Sequence, residues 1–311
     1  MAGSATVARL ASELEPAGER RSQLAALLTQ APAGCASQTI HASDAPPARE
    51  QSAAFPLVVM SHCHSGTRFG MFTIAEQLAS AGFVVAAVDH VGDTLYDSLA
   101  GKPGSLSPEQ LERRRGDVDA LLDVLLDHDA AVVPVGLRGR LDAARVGLLG
   151  HSFGAITSGL VTSTDPRIAA SVFIAAPPTF PILSPTMLAQ LDVPALFFYA
   201  SEDNSLPGFI NEIIRSDFAA YPREAWLVEF ADAGHFAFSD LAGITDELSA
   251  GCGSGLRQTQ PLVAFEYLDP AFVRAQAASY VRAFFERQLQ AGPGLLLDQP
   301  PSSPSLTLKR R

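Results

Sequence analysis

The stretch Arg145-Val-Gly-Leu-Leu-Gly-His-Ser-Phe-Gly-Ala-Ile-Thr-Ser158 determines how the rest of the chain is interpreted. It begins with an apolar run, Val146–Leu149, of the length and composition of a buried strand. A Gly-x-Ser-x-Gly pentapeptide follows and leads into small residues with helical character. This order predicts a tight turn between the strand and the following helix. The turn, the elbow, exposes the hydroxyl of Ser152 at the carboxyl edge of a sheet, and the helix after it is the elbow helix. Gly150 and Gly154 fit the turn because a Cβ there would collide with the neighbouring strand and helix. Ser152 is therefore the candidate nucleophile.

A serine hydroxyl is a weak nucleophile until a neighbouring base takes its proton, and histidine suits neutral pH best. The sequence contains seven histidines. Only His235 follows the last predicted strand of the sheet, in the glycine-hinged segment Asp232-Ala-Gly-His235. His151 lies inside the turn itself and is expected to point away from the place that a base must occupy. His235 is the predicted base.

The acid that orients this imidazole should follow a strand whose carboxyl end lies at the same sheet edge. The strand after the elbow helix runs into residues 175–180, which contain no carboxylate. The next strand ends in Tyr199-Ala-Ser-Glu-Asp-Asn204. Asp203 is the predicted acid and Glu202 is the alternative.

An oxyanion hole needs backbone N–H groups that point at the developing negative charge. One is expected from Phe153. The other is assigned to His64, with Cys63 as the next candidate, in the loop after the strand Phe55–Met60. The run His62-Cys63-His64 is not interpreted as a metal site, because neighbouring side chains diverge in an extended segment and no carboxylate completes the set. Cys63 is not interpreted as the nucleophile, because Ser152 already occupies the elbow.

Composition narrows the classes of partner. The chain has 311 residues, with 22 Lys and Arg against 33 Asp and Glu, a formal net charge of −11. This balance argues against nucleic acid or an anionic membrane as the main partner. No run approaches the roughly 18 apolar residues of a membrane span, and no signal peptide is evident, so a cytoplasmic location is expected. The cysteines Cys35, Cys63 and Cys252 are too few for a disulfide framework or zinc site, and a Cys35–Cys252 bridge is left open.

From Phe55 onward, predicted strands and helices alternate. The predicted helices are Met71–Ala81, Ser107–His128, one within Pro207–Ala220, and Pro270–Gln290; the further strands are Phe83–Val88, Ser171–Ala175, Ala195–Ala200 and Ala225–Phe230. Such alternation predicts an α/β protein with a mostly parallel central sheet covered by helices on both faces.

The two ends and one internal segment stand apart from this pattern. Residues 1–54 are interpreted as a helical and linker extension, with a leucine-striped helix over 5–29 that includes Leu10, Leu14, Leu24, Leu27 and Leu28. It is either a reduced start to the sheet or a contact with a second subunit, as in a homodimer. Residues 55–290 form the predicted catalytic domain, with 236–269 as either a flap or a plain surface insertion. Residues 291–311 are expected to be a disordered tail.

The motifs together resemble those of the α/β-hydrolases, and more narrowly the bacterial dienelactone-hydrolase-like group that is similar to platelet-activating-factor acetylhydrolases. The resembling segments are Pro56–His62, Ala81–His90, the helix with Arg115 and Asp117, Gly150–Gly154, Val193–Tyr199 and Ala233–Phe236. The resemblance implies hydrolysis of carboxylic esters through an acyl-serine, with no cofactor. It gives Ser152 the role of nucleophile, His235 that of base, and the amides of His64 and Phe153 that of oxyanion hole.

Three departures from the family pattern limit what it implies. Cys63 replaces the glycine of the usual Ser-His-Gly loop. The acetylhydrolases place their acid after the strand that follows the elbow, whereas Asp203 matches the position used by bacterial esterases. True dienelactone hydrolases use a cysteine nucleophile, so their reaction is not carried over to this chain.

Several substrates suit one such site. It would act on a small-molecule or polymeric ester, or equally cleave amides, polyesters or polyamides, or transfer the acyl group to another acceptor. Cys63, Phe69 and Phe180 are the candidate substrate-binding residues. A hypothesis of another class is a catalytically inactive hydrolase fold that serves as a binding module.

Overall fold

The computed structural model describes residues 15–30, 35, 41–42, 47–50 and 53–311. The helices are α1 (Glu19–Gln30), α2 (Phe72–Ser80), α3 (Leu95–Leu99), α4 (Pro108–Leu126), α5 (Phe153–Thr164), α6 (Phe209–Ala220) and α7 (Pro270–Gln290). The strands are β1 (Phe55–Ser61), β2 (Val84–Val88), β3 (Leu141–His151), β4 (Ile168–Ile174), β5 (Ala195–Ala200), β6 (Ala225–Phe230), β7 (Ser254–Leu256), β8 (Ala264–Glu266) and β9 (Leu306–Arg310).

Seven strands form one sheet in the order β2-β1-β3-β4-β5-β6-β9. Neighbouring strands from β2 to β6 pair in parallel, and β9 pairs antiparallel with β6. The carboxyl ends of the parallel strands therefore meet at one edge, where open α/β sheets place their ligands. The mostly parallel sheet confirms the predicted α/β architecture.

Helices cover both faces of the sheet, which explains why its central strands are apolar throughout. On one face, α2 and α7 pack through Leu78 and Phe284 against sheet residues such as Val58 and Val172. The opposite face is covered by α4, α5 and α6, where Val118 and Val161 pack against Leu57 and Leu148 in one cluster. The helix α4 begins as predicted: Ser107 accepts a hydrogen bond from the amide of Gln110 at 3.2 Å, and a proline occupies the first turn.

The predicted disorder of residues 291–311 is wrong. A 3-10 turn at Leu295–Asp298 leads into β9, which completes the edge of the sheet beside β6. Arg287 and Arg310 both bind Asp298, so this turn is tied to α7 and to the edge strand. The segment Leu306-Thr307-Leu308-Lys309 does alternate apolar and polar residues, but this signal is only four residues long and follows a stretch rich in Pro and Ser.

The N-terminal extension is described in part. Its helix α1 begins at Glu19, within the predicted helix over 5–29. Leu24 is buried against Phe69, Leu95 and Tyr96 of its own chain, so this member of the leucine stripe is used internally. Leu10, Leu14 and most of the linker over 31–54 lie outside the described residues.

Cys35 and Cys252 form a disulfide, with Cα atoms 5.7 Å apart. This settles the pairing that the sequence left open. The bond ties the N-terminal extension to the segment over 236–269, and the carbonyl of Cys35 also accepts a hydrogen bond from Arg274 at 3.0 Å. Among the described residues, no helix is long and apolar enough to span a bilayer.

Candidate active site

Ser152 occupies a sharp turn between β3 and α5. Its backbone angles, φ 58° and ψ −123°, lie in a region that side chains other than glycine rarely adopt. A Cβ on Gly150 would run into the carbonyl of Gly154, and a Cβ on Gly154 into the carbonyl of Ser61 on the neighbouring strand. Both glycines are therefore required, for the reason that the sequence suggested.

The structure brings Ser152, His235 and Asp203 into a hydrogen-bonded chain. The Nε2 atom of His235 lies 2.8 Å from Ser152 Oγ, and its Nδ1 lies 2.6 Å from Asp203 Oδ2. Because a carboxylate accepts only, Nδ1 carries the proton and Nε2 is free to accept one from the serine. His235 and Asp203 are nearly inaccessible, with 1% and 3% of their surface exposed. The arrangement has the geometry of a nucleophile, a base and an orienting acid.

Asp203, and not Glu202, reaches the histidine. The second carboxyl oxygen of Asp203 accepts the amides of Ser205 at 3.1 Å and Leu206 at 2.7 Å, which fixes the direction of the side chain. Glu202 points elsewhere and binds the segment over 236–269. It accepts the amides of Gln258 at 2.6 Å and Thr259 at 3.0 Å and pairs with the guanidinium of Arg257 at 3.1 Å.

His151 supports the base through the main chain. Its Nε2–H donates to the carbonyl of His235 at 3.0 Å, since a carbonyl can only accept. Burial and the neighbouring ring of His235 lower the pKa of His151 to about 3, so the ring stays neutral. As expected, it is not the His151 ring that lies beside the Ser152 hydroxyl. The expectation did not include the hydrogen bond from His151 to the His235 carbonyl. Its position within the elbow pentapeptide gave no indication of it.

The predicted oxyanion loop follows β1 and is held by histidine. The Nδ1–H of His62 donates to the carbonyl of Cys63 at 2.6 Å, and the amide of Gly66 donates to the same oxygen at 3.1 Å. In a trans peptide the C=O and the following N–H point in opposite directions, so this bond also orients the amide of His64. Within residues 53–311, the amides of His64 and Phe153 donate to no acceptor. Both are available for a ligand.

A buried ion pair supports the predicted oxyanion loop. Arg114 on α4 and Asp93 after β2 lie 2.5 Å apart and have no exposed side-chain surface. Arg114 also donates to the carbonyl of His62 and, at 3.1 Å, to Thr157 on the elbow helix. The other oxygen of Asp93 lies 2.5 Å from His64 Nδ1. Burial acts to raise the pKa of Asp93, but His64 and Arg114 outweigh it and hold that pKa below its usual value.

This ion pair was not predicted, although one sequence signal pointed to it. Asp93 lies in the loop just past the carboxyl end of β2. The rule that identified Asp203 after β5, that strand ends supply side chains to this edge, applies equally to Asp93.

A second Ser-His-Asp set connects β1, the loop after β2 and α4. Ser61 Oγ is 2.9 Å from His90 Nε2, and His90 Nδ1 is 2.9 Å from Asp117 Oδ2. Ser61 and His90 are fully buried, and Arg114 donates to the Ser61 hydroxyl at 3.2 Å. Because Ser61 and His90 have no exposed surface, the set is interpreted as a scaffold for the loop.

Ser152 opens into a cleft with two lobes. The apolar lobe, of about 200 Å³, is walled by Ile156, Phe180, Leu183, Phe209 and Ile210 among others. The polar lobe, of about 240 Å³, contains His64, Ser65, Ser205, His235 and Glu247. Leu106 and Leu206 border both lobes.

The structure divides the three candidate substrate-binding residues. Phe180 lines the apolar lobe, and its contact with substrate stays a prediction. Cys63 and Phe69 instead pack in a hydrophobic cluster with Leu24 and Phe236 and are not among the residues that line these two lobes. Burial raises the pKa of the Cys63 thiol to about 12, which leaves it protonated and unreactive at neutral pH.

The segment over 236–269 borders the site. Glu247 and Leu248 lie on the wall of the polar lobe, and the amide of Phe236 donates to the carbonyl of Ala250 at 2.7 Å. The segment is therefore not a surface insertion remote from the cleft. Among the described residues, no three His, Cys, Asp or Glu side chains are grouped so that they could hold a metal ion.

Residues 44–259 match the family model of the dienelactone hydrolase family, and this covers more than half of the chain. The chain belongs to the dienelactone hydrolase family. Among curated proteins it is 28% identical over 228 residues to platelet-activating factor acetylhydrolase of Bos taurus, which covers 62% of this chain and 50% of that protein. It is also 28% identical over 186 residues to cutinase est1 of Thermobifida alba, at 58% of this chain and 53% of that protein.

The chain thus spans about half the length of the curated relatives that it matches. A solved structure of ferulic acid esterase from Streptomyces cinnamoneus superposes with a TM-score of 0.61 and 24% identity, covering 84% of this chain and 75% of that one. At this identity the likeness concerns the fold, and it agrees with the α/β-hydrolase fold of this family member.

Proposed function

We propose that the protein is a serine hydrolase that cleaves carboxylic esters through an acyl-serine intermediate. The observation that carries the proposal is the hydrogen-bonded chain from Ser152 Oγ through His235 to Asp203. Membership of the dienelactone hydrolase family supports hydrolase chemistry in general. The names of its relatives, an acetylhydrolase and a cutinase, support esters as the substrates.

In the proposed mechanism His235 takes the proton of Ser152 as the hydroxyl attacks the acyl carbon. The amides of His64 and Phe153 would donate to the oxygen that becomes negative, and such donors contribute about 10²–10³ in turnover each. His235 then gives its proton to the departing alcohol. A water molecule then attacks the acyl carbon and gives a proton to His235; the bond to Ser152 Oγ breaks, His235 returns the proton to Ser152, and the acid is released.

The acid in this mechanism keeps the imidazole in one tautomer. Asp203 accepts the Nδ1 proton and stabilises the imidazolium that forms during attack. Its own carboxylate is fixed by the amides of Ser205 and Leu206, so it needs little reorganisation during the reaction.

The test is covalent labelling with a fluorophosphonate, followed by mass mapping of the modified peptide. Wild type should carry one adduct, on Ser152, and Ser152→Ala should carry none. Turnover of p-nitrophenyl esters should fall by about 10⁵–10⁶ in the same variant. Ser80→Ala is the control, because Ser80 is exposed at the end of α2 and its hydroxyl donates to the carbonyl of Gln77; it should label and turn over as wild type does.

Two outcomes would contradict the proposal. One is an adduct on Ser61, whose neighbours His90 and Asp117 imitate the same pattern. The other is a soluble, folded wild type that neither labels nor hydrolyses any ester, which would favour a binding role for the fold.

A further inference from the structure

We propose that the apolar lobe binds the acyl group of the substrate and the polar lobe its alcohol. The preferred substrate is then an ester that joins an apolar acid, of the size of a benzoyl or octanoyl group, to an uncharged or cationic alcohol. This inference rests on the proposed function and names the substrate class for the same site.

The apolar lobe has no polar side chain except the serine itself. Its inner wall is formed by Ile156, Ala176, Leu183 and Ile210, all of them buried. Phe209, about half exposed at 53%, stands at the mouth. A site of this kind binds apolar groups favourably and offers no hydrogen bond to a sugar or a charged group.

The polar lobe is also lined by Phe236 and Leu248, but it carries polar side chains that the apolar lobe lacks. His64 supplies a ring nitrogen, Ser65 and Ser205 supply hydroxyl groups, and the exposed carboxylate of Glu247 lies on the wall. Hydroxyl groups of an alcohol would find partners here, and a cationic alcohol would be attracted. An anionic alcohol would be repelled by Glu247.

The chemistry of the triad assigns the lobes. During acylation the bond from Ser152 Oγ to the acyl carbon forms and the bond from that carbon to the alkoxy oxygen breaks. The proton passes from Ser152 to His235 Nε2 and then to the alkoxy oxygen, so this oxygen must lie beside the histidine. His235 borders the polar lobe and does not border the apolar one. The alcohol therefore extends into the polar lobe, and the acyl substituent is left to enter the apolar lobe.

The volume of the apolar lobe sets the size of the acid. Its 200 Å³ exceeds the roughly 150 Å³ of an apolar cavity known to hold benzene. An aromatic ring or a chain of several methylenes fits, while an acetyl group leaves most of the lobe empty. Each methylene that enters should raise kcat/KM about fourfold until the lobe is full.

The experiment uses two ester series on the intact protein. The acyl series joins acetate, butanoate, hexanoate, octanoate and benzoate to p-nitrophenol. The alcohol series joins hexanoate to ethylene glycol, choline and glycolate, which are neutral, cationic and anionic. We expect kcat/KM to rise along the acyl series and to be lowest for the glycolate ester.

Paired variants locate each effect. Phe180→Ala and Phe209→Ala should each lower kcat/KM for hexanoate about tenfold and leave acetate unchanged, while Ile182→Ala, exposed and outside the lobe, should change neither. Glu247→Gln should raise kcat/KM for the glycolate ester severalfold against the glycol ester, and its exposed neighbour Asp246→Asn should not.

The outcomes separate this inference from the proposed function. Labelling of Ser152 together with variants in Phe180 and Phe209 that change the alcohol series instead of the acyl series would overturn the lobe assignment alone. So would a flat acyl series on a labelled enzyme. Absence of both labelling and turnover would overturn the proposed function, and the substrate class with it.

Discussion

The imidazole of His151 donates from Nε2 to the backbone carbonyl of His235, 3.0 Å away. His151, which precedes the predicted nucleophile Ser152, therefore fixes the main chain of His235, the predicted base. The two rings are stacked at a tilt, 5.0 Å between centroids. Because the amide of His235 also donates to the carbonyl of Asp203 at 3.0 Å, the base is fixed through its main chain on both sides.

His151→Ala should lower kcat while KM changes little. Loss of this bond frees the His235 loop to shift, and a displacement of about 1 Å at a reacting group costs on the order of 10²-fold in rate. His151→Gln keeps an N–H donor and should recover part of the loss. Steady-state kinetics with one short-chain ester checks this. Equal kcat in the alanine variant and wild type, with the fold intact by circular dichroism, would contradict the positioning role.

Asp203→Asn should lower kcat, whereas Glu202→Gln should lower the melting temperature. An amide at 203 favours the wrong imidazole tautomer, so kcat should fall about 10⁴-fold. Glu202 does not touch the histidine, and Glu202→Gln should leave kcat within a few-fold. It should instead lower the melting temperature, because a buried carboxylate that accepts two amides is replaced. A reversed pattern would move the acid to Glu202.

Arg114→Met should be strongly destabilising, since it leaves Asp93 buried without its partner. Breaking such a pair costs about 3–5 kcal/mol of unfolding free energy. The double variant Arg114→Met/Asp93→Asn should be less destabilised than the sum of the single variants. Its kcat should stay low, because the donor to the His62 carbonyl is still missing.

The neighbouring Arg115→Met is the control for this pair. Arg115 binds Glu112 and Asp119 on the partly exposed side of the same helix. Such pairs contribute about 0–1 kcal/mol, so both stability and kcat should remain near wild type. Chemical denaturation and ester kinetics on the four variants decide the matter; additive losses would exclude coupling between Arg114 and Asp93.

Asp217 should make stability depend on pH in a defined window. It lies buried on α6 and accepts the Thr179 hydroxyl at 2.6 Å, and burial raises its pKa to about 6. A carboxyl whose pKa is higher in the folded protein favours folding while protonated, so this contribution is present below about pH 4 and lost as pH rises to about 6. Asp217→Asn should therefore gain about 2–3 kcal/mol over wild type across that window.

Denaturation curves at intervals from pH 4 to pH 7 measure this difference. Asp240, whose pKa burial also raises to about 6, is present in both proteins and cancels. A constant difference for Asp217→Asn would contradict the raised pKa.

The elbow was predictable because its constraints are local. Five residues specify the turn, and each glycine is required by an atom within the turn or on the adjacent strand. The bounds of β5, β6 and α7 agree with the predicted bounds for a similar reason. Each element is a segment with a regular apolar pattern that lies between clear breaks in the sequence. The choice between Glu202 and Asp203 was narrowed but not decided, since adjacent residues on a strand end point in different directions.

What the sequence missed depends on residues that are far apart in the chain. Arg114 meets Asp93 and the carbonyl of His62 only after three separate segments have packed together. The edge strand β9 exists because β6 offers an unpaired side. Cys35 and Cys252 are 217 positions apart, and only the fold of the domain between them brings them together. Disulfides persist in oxidising surroundings and are rare in the cytosol, so this bond argues against the cytoplasmic location suggested by the sequence. That location stays a prediction.

The disulfide also changes the connectivity of the molecule. Cys35 and Cys252 are separated by 217 positions, and Ser152, Asp203 and His235 all lie between them. Covalently the protein is a ring that carries two tails, and the whole candidate site is on the ring. A single cut in an exposed loop of that ring opens it without releasing a fragment, so the pieces that hold the nucleophile and the base stay in one molecule.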